Sequence, residues 1–172
     1  GDLISLRETL RNMDKGIPEK LTAAIDRLTT AARFFQHGDG DLAFFNGGRS
    51  VGEGTCDQLL AVSEVLARAP HHLPEGGFER LKAGRSLILF ETGKSGRPKS
   101  SQIYQGTGSF EFSHGRERII VNCGAHPDQT SPWQKALAAT AAHSTVSIGD
   151  TNSEYPAPVK AGDEPPVHIS VV

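Results

Sequence analysis

The residues of this chain that could do chemistry are few and scattered, with seven histidines and two cysteines among 172 residues. Asp39 and Asp41 flank Gly40, and two carboxylates that close could open a calcium loop. Such a loop needs further oxygen ligands and a Glu at its twelfth position. Asn46, Gly47, Gly48 and Ser50 follow instead, so the segment reads as a tight turn. His71 and His72 are adjacent, and side chains so placed do not easily face one metal. Cys56 and Cys123 lie far apart and outside any Cys-x-x-Cys pattern, which predicts two buried thiols. Arg85, Arg97, Arg116 and Arg118 could neutralise carboxylates or sulfates, or simply be solvated. His37, His114 and His168 have no partner spacing that marks a site. His143, just before a β-type run, fits a structural hydrogen-bonding role on the bare sequence.

The elements that must position these residues fall into two styles. Leu3, Ile4, Leu6, Leu10 and Met13 recur at helical spacing, and Gly16 stops them. Pro18 suits a first helical position, and Leu21, Ala24, Ile25, Leu28, Ala32 and Phe35 continue on one face. Helices are predicted over 2–14 and 18–36, each with one apolar stripe that needs a covering partner. Two helices cannot cover themselves well, so they are expected to finish a larger helical array. Residues 42–45 read as a short strand. Thr55 is expected to cap a third helix that runs to Ala69, with Pro70 ending it.

From Phe78 onwards short β-type runs alternate with turns: 78–81, 86–91, 109–113, 118–122, 144–148 and 167–172. Ala83-Gly84 and His114-Gly115 look like hairpin turns. Phe110 and Phe112 fall on one face with Ser109, Glu111 and Ser113 on the other, the alternation of a half-buried antiparallel strand. Residues 93–105 read as a long exposed loop, and 132–142 as a short helix or helical turn. Six strands at this spacing suggest a sandwich. The chain stops on its last strand, so a truncated sandwich is expected.

The totals exclude several classes. Hydrophobic residues make up 37% and charged residues 22%, as in a globular protein. A formal net charge of −2 offers no basic excess to gather phosphates, so nucleic acid is not the expected partner. No apolar run is long enough to cross a bilayer. No signal peptide is visible at the start of the chain.

One ordered string goes further. TGSFEFS runs from Thr107 to Ser113 and RIIVNCG from Arg118 to Gly124. Trp133 follows, then ATAAHSTV from Ala139 to Val146, and finally Asp150-Thr-Asn-Ser153. This order resembles the heparinase II/III-like family of bacterial polysaccharide lyases, over roughly residues 20–153. The resemblance implies an α/α toroid followed by an antiparallel β-sandwich. Residues 1–69 would be the end of the toroid and 70–172 part of the sandwich, α+β by segment. It implies β-elimination on uronic-acid polysaccharides. There the C5 proton, α to a carboxylate, becomes removable once that carboxylate's charge is neutralised. A His or Tyr takes the proton, and a Tyr usually supplies one to the departing O4.

Carried over residue by residue, His143 matches the family's His, and Tyr104 is the second catalytic candidate. Asn122 and Trp133 are the expected substrate-binding residues. Some members hold zinc in the sandwich, but Gln102, Tyr104 and Asn122 stand where His and Asp ligands would be, so no metal and no cofactor are expected. His126, beside Asp128, could line the same cleft, and the 150–153 turn could contact sugar hydroxyls. The expected partners are an acidic polysaccharide and the remainder of the chain's own toroid and sandwich, with a lean towards the periplasm. The other reading the sequence leaves open is a non-catalytic carbohydrate-binding or structural module on the same fold.

Overall fold

The computed structural model describes residues 1–92, 104–149 and 151–153. Three helices come first: α1 (Asp2–Asn12), α2 (Glu19–Phe35) and α3 (Thr55–Val62). Helix α2 starts one residue after Pro18 and buries Leu21, Ile25, Thr29 and Phe34. The rest of the predicted stripes is largely uncovered, with Leu6, Met13, Leu28, Leu59 and Val62 exposed. Among the described residues no helix is long and apolar enough to cross a membrane.

Helix α3 ends seven residues before the predicted Ala69. The Ser63 hydroxyl donates to the Leu60 carbonyl and accepts from Val65 N–H, and Glu64 takes a left-handed φ of 62°. Arg7 of α1 then donates to the Val62 and Ser63 carbonyls at 2.8 and 2.7 Å, satisfying groups a continuing helix would have used. Leu66, expected on the apolar face, is 96% exposed as a result.

The predicted strand over 42–45 is a single bridge between Gln36 and Leu42 followed by a 3-10 turn at Phe45–Gly47. The turn before it forms as read, with Asp41 N–H donating to Asp39 Oδ1. β1 (His72–Leu73), β2 (Phe78–Ala83), β3 (Ser86–Glu91), β4 (Phe110–His114) and β5 (Glu117–Ile120) form one antiparallel sheet in chain order. Both predicted hairpin turns are present, closing Ala83 on Ser86 and His114 on Glu117. After β5 come α4 (Trp133–Leu137) and a 3-10 turn at Thr140–Ala142.

The sheet's inner face packs on the end of α2 and on the segment after it. Phe34, Ala43, Phe45, Phe78, Leu87 and Leu89 form the core, with Phe35 and Leu73 against it. Phe35 meets Phe78 edge-on at 4.9 Å, and Phe45 meets Phe78 at 5.2 Å.

Some expectations do not hold. In β4 it is the polar set, Ser109, Glu111 and Ser113, that lies on the fully buried face, while Phe110 and Phe112 are half-buried on the other. Residues 144–148 form no strand: Ile148 makes one bridge to Thr151, and Val146 and Ile148 are exposed. Hydroxyl groups explain this, since Ser144 bonds the Phe110 carbonyl and Thr145 the Thr107 carbonyl, displacing a regular ladder. Cys56 is buried but Cys123, next to inward-facing Asn122, is exposed; both are free thiols. Of the predicted loop 93–105, residues 93–103 lie outside the described residues, as does the predicted strand 167–172.

Candidate functional site

The site grows from the polar half of β4. Glu111 is fully buried, and its carboxylate is the centre of a network. Its Oε1 accepts from Phe44 N–H at 2.8 Å and from the Asn122 backbone and side-chain amides at 3.3 and 3.2 Å. Its Oε2 lies 3.0 Å from His37 Nε2 and 3.8 Å from Arg118 Nη1. His37 Nδ1 is 2.8 Å from Ser113 Oγ. Arg118 forks onto Asp39 at 2.6 and 3.1 Å and lies 4.9 Å over the Phe44 ring. The guanidinium holds the Asp39 carboxyl below its ordinary value, against the opposing effect of its partial burial. The turn carboxylates are therefore committed to protein partners: Asp41 Oδ1 accepts from Leu42 and Val51 N–H.

Asn122 carries this network to His143. With its Nδ2 donating to Glu111, its Oδ1 faces His143 Nδ1 at 3.3 Å and also accepts from Ser144 N–H at 3.1 Å. That orientation assigns the Nδ1–H tautomer to His143 and leaves the lone pair on Nε2. Nε2 is buried and has no hydrogen-bond partner among the described residues. Burial lowers the His143 pKa, which keeps the ring neutral and that nitrogen unprotonated.

Tyr104 closes one side. It is 7% exposed, not the exposed loop residue that its polar surroundings in sequence imply. Its ring meets the His143 ring edge-on at 6.2 Å. A Cβ at Gly47 would come within 2.5 Å of the Tyr104 ring, and one at Gly106 within 3.0 Å of the His143 ring, so both approaches rely on glycine. Burial raises the Tyr104 pKa, so the phenol stays protonated. Glu91, at the end of β3, is 2% exposed, and burial pushes its carboxyl up to about 7 against the pull of Asn46 and Ser109.

Three of the four residues singled out in the sequence, Tyr104, Asn122 and His143, are thus brought together. Trp133 stands 64% exposed at the start of α4 with no ring contact to them. His126 is bound to its own turn, with Nδ1 3.1 Å from the Asp128 backbone. Glu91, Glu111 and His37 were missed. For the two acids a signal existed in the parity of the strands: Glu91 shares the face of Leu87 and Leu89, and Glu111 pairs with Leu89. The His37–Glu111 contact spans 74 positions and left no mark in local sequence.

The donor set does not fit the zinc that some sandwiches of this kind hold. His143 is the only strong zinc donor among Tyr104, Asn122 and His143, and the Asn122 oxygen is taken by protein donors. Among the described residues no group of three or more His, Cys, Asp or Glu is placed to hold a metal.

The fold is α+β, helices followed by one antiparallel sheet, and comparison with known proteins makes the class specific. Residues 66–164 match the heparinase II/III-like, C-terminal family, and the chain belongs to that family. It is 32% identical over 156 residues to FtsZ-localized protein C of Caulobacter vibrioides, a match that takes in 90% of this chain and 27% of that protein. A heparinase III structure aligns with TM-score 0.59 at 13% identity, covering 79% of this chain and 25% of that one. A second heparinase III structure gives 0.57 at 14%. The chain therefore spans about a quarter of the length of these relatives.

Proposed function

We propose that this chain supplies the sandwich-side wall of a polysaccharide lyase site, with residues 1–69 as the end of a toroid and 70–172 as part of a sandwich. The observation that carries the reading is the neutral His143, whose Nδ1 is pinned by Asn122 and whose Nε2 is buried with no hydrogen-bond partner among the described residues. In the reaction Nε2 takes the C5 proton of a uronate, and the C–H electron pair becomes the C4–C5 double bond. The C4–O4 bond breaks, and the departing oxygen takes a proton from the Tyr104 hydroxyl. Asn122 acts through His143 by fixing its tautomer, and Trp133 offers an exposed ring to a sugar face. Neutralisation of the uronate carboxylate is assigned to the toroid side. Nε2 is covered in the resting chain, so a local opening must precede contact with sugar.

A second reading has its own support. FtsZ-localized protein C is named for its location and not for a reaction, and Asn122 stands where the lyase pattern has an acid. Both fit a non-catalytic carbohydrate-binding or structural module on a lyase fold. The test is to incubate the full-length parent protein with a panel of uronic-acid polysaccharides and follow the ultraviolet absorbance of the unsaturated product. Absorbance that His143→Ala abolishes supports the lyase. A folded protein that yields none on any substrate supports the module.

A further inference from the structure

At the hairpin end of the sheet, away from His143, lies a groove of about 840 Å³. Its walls carry Arg33, Arg68, Arg80, Lys82, Arg85 and Arg116, and no carboxylate is among the described residues that line it. In a chain of net charge −2 this is a marked segregation. None of the six cations makes an ion pair among the described residues. Arg33 and Arg80 each donate once to a backbone carbonyl, at Val65 and Phe34, which fixes them in place without neutralising them. Arg33 Nε is buried with no hydrogen-bond partner among the described residues. Burial holds the Arg80 guanidinium below its usual range with no charge to offset it.

The arrangement follows from the fold. Arg80 and Lys82 pair with Leu89 and Leu87 in the ladder and so share the inner face of the sheet. Towards the hairpin the helical layer gives out, and that face opens. Arg33 comes from the last turn of α2, and Arg68 from the segment released when α3 stops early.

We propose that this groove binds a short acidic peptide segment of a partner protein. Six like charges lining one groove repel one another, and an anionic occupant relieves this. Five of the six are arginines, whose forks match carboxylates in pairs. No aromatic ring is among the described lining residues to stack a sugar face or an unpaired base. Leu66, 96% exposed at the edge, instead suits an apolar peptide side chain.

The test uses fluorescence anisotropy of a labelled peptide of alternating Glu and Leu, titrated with the full-length protein and with its Arg85→Glu/Arg116→Glu variant. Both positions are exposed, so the variant keeps its fold, as circular dichroism checks. Binding that weakens by about tenfold or more in the variant, and again at about 0.5 M salt, supports the proposal. A Gln/Leu peptide serves as the uncharged control and should not bind. Equal binding by variant and wild type overturns the proposal. So does saturable binding of polygalacturonate with none of the peptide. His143→Ala should leave peptide binding unchanged, which separates this result from the lyase reading.

Discussion

The two ends of the inner sheet face treat charge in opposite ways. Around Glu111 the polar groups are partnered: His37, Arg118 and Asp39 close a chain of contacts about a fully buried carboxyl group. At the hairpin end six cations face one groove with no acid among the described lining residues. A fully buried charge persists when it is paired, whereas part-buried and open ones can be left unmatched. The paired end thus holds α2 and the turn after it on the sheet and, through Asn122, sets the position of His143. The unpaired end is free for recognition.

Substitutions sharpen this contrast. The largest effect is expected for Glu111→Ala, which strands His37 and Arg118 and should cost about 4 kcal/mol of unfolding free energy in urea titration. A loss under about 1 kcal/mol would mean the network is not holding the fold.

Next comes Glu91, whose carboxyl rises from an ordinary 4.5 to about 7 in the folded chain. Over that window the folded state holds a proton that the unfolded state has lost. The contribution of Glu91 to stability should therefore be complete below pH 4.5, fall as pH rises to about 7, and flatten above it, by about 3 kcal/mol in total. Glu91→Gln should remove this slope in denaturation curves taken across pH.

Asn122→Ala should cost about 2 kcal/mol, because Glu111 and His143 each lose a partner. It should also shift the His143 imidazole resonances in NMR as the tautomer is released. The smallest effect is expected at the groove. Arg85→Glu/Arg116→Glu should leave the unfolding midpoint unchanged or slightly raised, since like-charge repulsion falls; a clear loss would show that these arginines are structural.

Local pattern made much of this legible. The α2 stripe, the span of β3 and both hairpin turns follow from apolar period and turn chemistry. Long-range chemistry was not legible. Nothing near Ser63 in sequence says that Arg7 will take its carbonyl and help end α3. The alternation of Phe and Ser in β4 gives the period of the strand but not which face is buried, and a hydrogen-bonded acid overrode the usual choice. His143 and Tyr104 entered through the order of a motif, while the contact between their rings depends on glycines at 47 and 106.

The central claim is that His143 is a poised base in a polysaccharide-cleaving site. The most direct measurement follows ultraviolet absorbance of the full-length parent protein on uronic-acid polysaccharides, with His143→Ala alongside. The account predicts an unsaturated product from the wild type and none from the variant. Product formed equally by both, or by neither while both are folded, would contradict it.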